Sequence, residues 1–404
     1  MVFSPSVKRA ALAAAGLAAM ARIAVGAAVE GVHGWDDAVA ATAPADDVPA
    51  ARDDALAQLL YTSGTTGSPK GVMLTHANLA ANVAAIVAYL ELAAGDSIVS
   101  VLPFYYSYGS SVLHTHLWAG ARVCLEPNLV FPHLVVERLA RERATGFSGV
   151  PSTYALLLDR VDFAPHDLSA LRYLTQAGGA MSPALTARLR ATFPQARVYV
   201  MYGQTEATAR LTWLPPERLD QKTGSVGIPL DGVELAVRRE DGGAAATDEP
   251  GEVWVRGPNV MQGYWQNPQA TAEVLRDGWL RTGDVGRLDA DGYLWLSGRR
   301  SDMIKTGAHR VHPQDIEEAI SELPAVAEVA VVGVDDAVLG QVVKACIVRG
   351  GELSADQVKA HCRARLAPYK IPKHVEFLAA LPKTASGKVR RFELINAIAP
   401  QGAT

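Results

Sequence analysis

The stretch "YTSGTTGSPKG", residues 61–71, packs five serine and threonine hydroxyls, three glycines and one lysine into eleven residues. Backbone N–H groups of Gly64 and Gly67 can approach an anion closely because glycine has no Cβ. Lys70 adds a positive charge. The stretch therefore predicts a phosphate-binding loop between a strand and a helix. It does not match the G-x-x-x-x-G-K-[ST] pattern, because Pro69 precedes the lysine and a glycine follows it. Kinase-like and GTPase-like P-loops are excluded.

The segments around this loop alternate between strand and helix patterns. The run "LAQLLY" predicts a strand that leads into the loop, and residues 76–92 have helical periodicity. Further strands are predicted at "SIVSVLPF", "ARVCLEP", "TGFSGVPS" and "ARVYVMYG", with helices at "PHLVVERLARERAT" and "ALTARLRATF". This alternation predicts layered α/β subdomains with a largely parallel sheet.

The pattern changes twice in the second half of the chain. From about residue 220 to 300, "GVELAVRRE", "GEVWVRG" and "GYLWLSGR" are separated by Gly and Asp turns and predict a small antiparallel or barrel-like β region. After "GRRSD", residues 298–302, helices and strands alternate again. We therefore expect a large N-terminal domain over residues 1–300 and a small, mobile α+β domain over residues 301–404.

Composition narrows the class of protein. Of 404 residues, 49% are hydrophobic and 20% charged, and the net charge is −4, which argues against a general nucleic-acid or membrane binder. Cys124, Cys346 and Cys362 are far apart, as expected of idle or buried thiols in a reducing, cytoplasmic compartment. The Ala-rich N-terminus superficially resembles a signal peptide, but Arg22 interrupts its apolar run. We expect a helix there that runs into a strand at residues 22–25.

Six more motifs follow the phosphate loop in a fixed order. They are "QAGGAM" (176–181), "YGQTEAT" (202–208), "GEVWVRGPNVMQGYWQNPQAT", "GWLRTGDVGRLDADGYLWLSGR" and, in the C-terminal part, "DMIKTGAHRVHPQDIEEAI" with "LPKTASGKVRR". Together with the loop, this order resembles the adenylate-forming superfamily of acyl- and aryl-CoA synthetases, peptide-synthetase adenylation domains and luciferases. The resemblance covers roughly residues 55–390.

The resemblance implies an ATP-dependent first reaction. A carboxylate attacks the α-phosphorus of ATP and yields an acyl-adenylate and pyrophosphate, a reaction catalysed mainly by positioning and charge stabilisation. Thr205 would bond the α-phosphate, and Glu206 would ligate Mg²⁺, a hard cation that prefers carboxylate oxygen. Lys388 would bridge the carboxylate and the α-phosphate, and Lys70 would bind the outer phosphates.

The resemblance also assigns the nucleotide contacts. The phosphate loop would supply Thr62, Ser63, Gly64, Thr65, Thr66 and Gly67. The adenine side would be formed by Gly178, Gly179, Ala180, Tyr202 and Gly203, with the Tyr202 ring stacked on the base. Asp284 would accept both ribose hydroxyls with help from Arg299.

A second reaction is implied, in which a pantetheine thiolate attacks the acyl-adenylate and expels AMP. The C-terminal domain would rotate about a hinge at Ser301 and form a thiol tunnel from Lys305, Gly307 and Ala308. Two residues depart from the family pattern, since the hinge is usually Asp or Lys and Ala308 aligns with a usual glycine. The thiol would belong to coenzyme A or to the phosphopantetheine of a carrier protein, and the sequence does not separate these acceptors.

The acid pocket is expected around Tyr106, Gly109 and Gln204. Residues 103–116 contain no acidic side chain, so a free α-amino acid would bury its ammonium group without a partner. An acyl, aryl or hydroxy acid fits better. His114 and His116 would share a face only on a strand, and we expect polar packing rather than metal binding for them, as for His309 and His312.

The front of the chain departs from the family pattern. Only 60 residues precede the loop, whereas relatives generally carry well over a hundred. Either the enzyme is natively short, with a reduced first subdomain or a partner that fills the gap, or the sequence is a truncated fragment or a late start. An uncovered sheet edge would favour self-association or a partner. Three functions remain open: an acyl-CoA-forming ligase, a ligase that loads a carrier protein, and a non-catalytic nucleotide-binding or scaffold subunit.

Overall fold

The computed structural model describes residues 2–4, 22–24, 33–34, 40–41, 50–62, 69–126, 129–307, 309–383 and 389–395. The chain divides into two compact units, residues 1–52 and 53–404. In the first unit, three short parallel strands form a sheet: β1 (Val2–Ser4), β2 (Arg22–Ala24) and β3 (His33–Gly34). Strand β2 agrees with the strand expected at residues 22–25. The helix expected before it lies outside the described residues.

The phosphate loop joins two strands of a hairpin. Strands β4 (Leu56–Thr62) and β5 (Lys70–Thr75) pair antiparallel, with Thr62 opposite Lys70. The expectation that a helix follows the loop directly is wrong, because "KGVMLT" alternates and buries Val72 and Leu74 on one face. Helix α1 (His76–Leu90) begins one strand later. Loop residues 63–68 are outside the part of the chain that the structure describes.

The second unit is built around a seven-stranded sheet. Its strands are β6 (Ser97–Ser100), β7 (Arg122–Leu125), β8 (Gly146–Gly149), β9 (Tyr173–Gln176), β10 (Arg197–Tyr202), β11 (Thr212–Leu214) and β12 (Ile228–Pro229). The order is β12-β11-β10-β9-β8-β6-β7. Neighbours from β10 to β7 are parallel, and β11 and β12 are antiparallel. This confirms the largely parallel sheet and gathers the segments after β6, β8, β9 and β10 at one edge, where α/β sheets bind ligands.

Helices connect the strands of this sheet. They are α2 (Ser107–Trp118), α3 (Pro132–Arg141), α4 (Pro151–Arg160) and α5 (Pro183–Thr192). The sequence did not predict α2, which is rich in serine and histidine and has little apolar periodicity.

Helix α2 changes the interpretation of the histidine pair. On a helix, His114 and His116 point in different directions. His116 is buried, with Nε2 2.6 Å from the hydroxyl of Tyr173 and Nδ1 2.7 Å from the carbonyl oxygen of Val112. Burial lowers the pKa of His116, so the ring is neutral in this packing. The expected polar packing of His116 is confirmed.

The β region expected at residues 220–300 is antiparallel. Its elements are β13 (Glu234–Arg238), β14 (Gly251–Arg256), β15 (Gly263–Tyr264), α6 (Pro268–Val274), β16 (Leu275–Arg276), β17 (Trp279–Leu288) and β18 (Leu294–Arg299). Strands β13, β14, β17 and β16 form a sheet in that order, and β18 pairs with β17. Strand β15 instead pairs with β5, so the β region and the phosphate-loop hairpin share a sheet.

The remaining elements form the expected α+β module. They are β19 (Ile304–Thr306), β20 (His309–Val311), α7 (Pro313–Ser321), β21 (Val326–Asp336), β22 (Gly340–Arg349), α8 (Ala355–Arg365), β23 (His374–Leu378) and α9 (Arg391–Ile395). Cys346 and Cys362 are buried within this module, as expected of idle thiols, and burial raises the pKa of Cys346 to about 11. The domain boundary near residue 300 stays a prediction.

Among the described helices, none combines the length and apolar character needed to cross a bilayer.

Candidate active site

A buried carboxylate lies between two residues that the motifs had assigned to the nucleotide. Asp284 on β17 accepts a 2.5 Å hydrogen bond from the Tyr202 hydroxyl at the end of β10. Its other oxygen lies 3.3 Å from Nε of Arg299, which stands opposite Asp284 in the β17–β18 register. Burial and the Asp284 charge raise the pKa of Tyr202, and the same carboxylate raises that of Arg299. The fold thus brings together three residues from two distant motifs, with the buried Asp284 carboxylate between the other two.

The segment after β10 turns sharply. Residues 205–207 form one turn of 3₁₀ helix, and Thr208 and Ala209 follow with φ of 55° and 85°. Left-handed backbone at two successive non-glycine residues is energetically unfavourable, so contacts with the surrounding residues must stabilise it. Gly203 permits the turn, because a Cβ there would lie 1.9 Å from the carbonyl oxygen of Ala209.

Asn259 holds this turn, and the sequence reasoning did not identify it. Its buried Nδ2 donates to the carbonyl oxygens of Ala207, at 3.2 Å, and Arg210, at 2.8 Å. The Thr208 hydroxyl donates back to the Asn259 carbonyl at 2.6 Å. The only signal in the sequence was the asparagine within "RGPNVMQGYW", and its contacts became visible only with the fold.

Tyr264 links Glu206 to Lys70. The Tyr264 hydroxyl donates to Oε1 of Glu206 at 2.9 Å, and Nζ of Lys70 lies 5.0 Å from the centroid of the Tyr264 ring. Burial and the Glu206 charge raise the pKa of Tyr264, so it remains a neutral donor. Among the described residues, no hydrogen-bond donor contacts the other Glu206 oxygen, and a carboxylate oxygen suits a hard cation such as Mg²⁺. The sequence reasoning did not identify Tyr264, which β15 places beside β5.

Residues next to the predicted acid pocket contact the turn that carries Thr205. The Thr205 hydroxyl donates to the Ser107 hydroxyl at 3.2 Å, and Ser107 begins α2 directly after Tyr106. The Tyr106 ring lies 4.6 Å from that of Tyr105. Gly109 is required by close packing, because a Cβ there would lie 2.2 Å from the carbonyl oxygen of Pro103. The start of α2 therefore lies against the Thr205 turn.

The glycine loop after β9 is exposed. Gly178 has φ of +86°, and the carbonyl oxygen of Gly179 accepts a 2.7 Å hydrogen bond from Nε2 of Gln176. Gly178, Gly179 and Ala180 are all exposed to solvent, so their backbone is open to a ligand at the carboxyl edge of the sheet.

Lys388 and Ala308 lie outside the described residues, as do Ser63, Gly64, Thr65, Thr66 and Gly67. The segment with Lys388 is bracketed by an antiparallel bridge between Lys383 and Val389. Three residues beyond Lys388, Arg391 makes two contacts with Glu317, at 2.5 and 3.1 Å, and lies 3.5 Å from Asp302. Both ends of the lysine segment are therefore fixed to the C-terminal module.

The residues predicted for the thiol tunnel and hinge lie at the start of that module. Gly307 turns the chain between β19 and β20 with φ of +57°, and Lys305 is an exposed residue of β19. The Ser301 hydroxyl donates to Asp302 at 3.1 Å within a single 3₁₀ turn. His309 stacks on Tyr369 with ring centroids 4.0 Å apart. The structure places these residues along one short segment but does not assign them a role.

Comparison with protein families covers most of the chain. The model described as "AMP-binding enzyme" matches residues 6–265, and "AMP-binding enzyme C-terminal domain" matches residues 315–388. A long-chain-fatty-acid–CoA ligase of Bacillus subtilis (strain 168) is 37% identical over 353 residues, which are 84% of this chain and 61% of the ligase. A feruloyl-CoA synthase of an Amycolatopsis species is 38% identical over 354 residues, covering 86% and 71% of the two chains.

A solved structure agrees with these matches. ATP-bound MatB from Rhodopseudomonas palustris superposes with a TM-score of 0.84 and 32% identity, over 93% of this chain and 78% of MatB. The chain spans about 61% of the length of the Bacillus ligase. Fold, ordered motifs and family models agree, and the chain belongs to the family of AMP-binding, adenylate-forming enzymes.

Proposed function

We propose that this protein activates a carboxylic acid with ATP and Mg²⁺ and transfers the acyl group to the thiol of coenzyme A. The observation that carries the proposal is the buried contact of Tyr202, Asp284 and Arg299, which the fold assembles from two separate motifs. The CoA-forming activities named for the Bacillus and Amycolatopsis relatives support the same reaction.

In the first step, a carboxylate oxygen of the acid forms a bond to the α-phosphorus, and the bond from that phosphorus to the bridging oxygen of pyrophosphate breaks. Asp284 accepts the ribose hydroxyls, with Arg299 holding the carboxylate in place. The Tyr202 ring, Gly203 and the exposed backbone of residues 178–180 position the base. These contacts fix the nucleotide, so that attack becomes effectively unimolecular.

The negative charge that develops around the α-phosphorus is stabilised by residues of the turn after β10 and of the β4–β5 hairpin. Thr205 donates to the α-phosphate, and Lys70 and the loop from Thr62 to Gly67 bind the outer phosphates. Glu206, held by Tyr264, would hold Mg²⁺, which would neutralise part of the phosphate charge. Lys388 bridges the attacking carboxylate and the α-phosphate.

In the second step, the thiolate sulfur bonds to the acyl carbon and AMP leaves with the bonding electrons. Movement about Ser301 would withdraw Lys388 and bring Lys305, Gly307 and Ala308 to the acyl-adenylate. The small residues let the pantetheine arm pass close to the backbone. Tyr106, Gly109 and Gln204 would enclose the acid.

Acid-dependent exchange of labelled pyrophosphate into ATP, over a panel of acyl, aryl and hydroxy acids, tests the first step. We expect exchange with at least one acid, a loss of about 100-fold or more in Lys388→Ala, and weakened ATP use in Asp284→Ala. Absence of exchange from folded protein with every acid would support a non-catalytic nucleotide-binding or scaffold role instead.

The thiol acceptor is tested separately. The acyl-adenylate is offered to free coenzyme A and to a phosphopantetheinylated carrier protein, and thioester is measured in each arm. Thioester formed with coenzyme A at low micromolar concentration supports the proposal. Thioester formed only with the carrier would reassign the enzyme as a carrier-loading ligase.

A further inference from the structure

Arg210 is a buried arginine that has no carboxylate partner in the described part of the chain. Its side chain is 2% exposed, and its Nε is buried and makes no hydrogen bond. A guanidinium does not lose its proton in a protein. A buried charge normally requires a paired counter-ion, because transfer of an isolated ion from water is strongly unfavourable. Something else must therefore compensate Arg210.

The side chains next to Arg210 do not carry negative charge. Its guanidinium carbon lies 4.9 Å from the centroid of the Tyr108 ring, and Tyr89 interacts with it from α1. Burial raises the pKa of Tyr108, and it raises that of Tyr89 to about 12. Both phenols are thus neutral at physiological pH. The Tyr108 hydroxyl is also occupied, at 2.8 Å from the Thr175 hydroxyl.

The position of Arg210 is fixed without its side chain. Asn82 and Asn259 both donate to the Arg210 carbonyl oxygen, at 2.9 and 2.8 Å. The residue ends the turn that carries Thr205 and Glu206, and Tyr108 lies one residue from Gly109 on α2. A second unused donor belongs to the same turn: Nε2 of Gln204 is buried and makes no hydrogen bond. Two unused donors thus belong to a single turn beside the predicted acid pocket.

We propose that Arg210 binds a second carboxylate on the acid substrate, so that the enzyme activates one end of a dicarboxylic acid. A guanidinium presents paired N–H groups that match a carboxylate in a bidentate geometry. The ligand would supply the missing counter-ion, and the Gln204 amide would offer a further donor from the same turn. This inference rests on the proposed acid-activating function.

The probes are matched pairs of acids that differ only in a terminal carboxylate: hexanoate with adipate, and 3-phenylpropanoate with its para-carboxy derivative. Pyrophosphate exchange is measured for each acid with the wild type and with Arg210→Met. We expect the wild type to favour one diacid over its partner about 10- to 100-fold in kcat/KM, as for a buried charged hydrogen bond. In Arg210→Met this preference disappears, mainly through KM. Arg210→Lys keeps the positive charge but loses the paired N–H groups of the guanidinium, so we expect this variant to retain part of the preference for the diacid.

Arg190→Met is the matched control, because Arg190 is a partly exposed arginine paired with Asp220 at 2.5 Å. We expect Arg190→Met to keep the wild-type preference for the diacid. Equal use of both members of each pair by the wild type, or an unchanged preference in Arg210→Met, would overturn the inference while exchange itself still supports acid activation. A wild-type preference for an acid that carries a terminal hydroxyl or carbonyl group in place of the second carboxylate would also overturn the inference.

A second measurement does not depend on turnover or on the variant. The thermal midpoint of the wild type is compared with saturating adipate and hexanoate, since a ligand that binds only the folded state raises the midpoint. We expect a rise with the diacid alone. Equal shifts contradict the inference, and so does an Arg210→Met variant that fails to fold, because Arg210 would then be a structural cation.

Discussion

Among the residues that the structure describes, two cationic side chains are buried, one in each half of the chain, and their surroundings differ. Lys344 on β22 is 4% exposed, and its Nζ lies 2.6 Å from Glu376 and donates to the Leu394 carbonyl at 3.1 Å. Arg210 is 2% exposed and has no carboxylate partner among residues the structure describes. The lysine is compensated by the protein itself, as expected of a structural charge, and it ties α9 to the sheet. The arginine is compensated by neutral groups only.

His116 shows a third way to bury a basic side chain. Its ring is 1% exposed and remains neutral between Tyr173 and the Val112 carbonyl. Arginine does not have this option, since its pKa lies far above neutral pH. The comparison teaches that a buried arginine without an anion marks a place where a ligand can complete the structure, whereas a paired lysine does not.

Removal of the Lys344 charge should have the largest effect on stability. Lys344→Met leaves Glu376 without its cation, and we expect a loss of about 3 kcal/mol in the free energy of unfolding, measured by urea denaturation. The double variant Lys344→Met with Glu376→Met should recover most of this loss. If the single variant is as stable as the wild type, the ion pair is not structural and the contrast with Arg210 fails.

Removal of the side chain that holds the turn should have the next largest effect. Asn259→Ala removes the side-chain donor to the Ala207 carbonyl and leaves the Arg210 carbonyl with Asn82 as its remaining side-chain donor. We expect a loss of about 2 kcal/mol in the same measurement. Asn267→Ala is the matched control, because Asn267 only caps α6 through Ala270. We expect a smaller loss, about 1 kcal/mol, from that control. If Asn259→Ala loses no more free energy of unfolding than Asn267→Ala, the turn is held by other contacts.

A smaller effect should appear as a dependence on pH. Burial lowers the pKa of His116 below its ordinary value of 6.5, so below pH 6.5 the unfolded chain binds a proton that the folded chain does not. The free energy of unfolding should fall as the pH drops below about 6.5, and this slope should be weaker in His116→Gln. His76→Gln, at an exposed position, should keep the wild-type slope. An identical slope in both variants would contradict the neutral His116.

The smallest effect on stability is expected where the cation has no partner. Arg210→Met should change the free energy of unfolding by less than about 1 kcal/mol without substrate, because it removes an uncompensated charge and keeps an apolar stem against Tyr108. Denaturation of the ligand-free protein measures this. A loss as large as that of Lys344→Met would make Arg210 a second structural cation.

Much of the fold could be predicted from the sequence. Strands such as β10 and β14 and helices such as α1 and α3 follow from local periodicity, and the parallel sheet follows from the alternation of strands and helices. Among the elements that the sequence analysis did not predict, two have local reasons. Helix α2 was not predicted because it lacks an apolar stripe. Strand β5 was not predicted because the phosphate loop was expected to lie between a strand and a helix.

By itself, the sequence determined the family of this protein, since its ordered motifs carry the residue types that phosphate and ribose require. The tertiary structure alone decided which side chains support those motifs. Tyr264 reaches Glu206 only because β15 pairs with β5, and Asn259 reaches Arg210 across 49 residues of chain. The lack of a carboxylate partner for Arg210 among the described residues has the same origin. Whether a buried charge has a counter-ion depends on every element packed around it and not on a local pattern of residues.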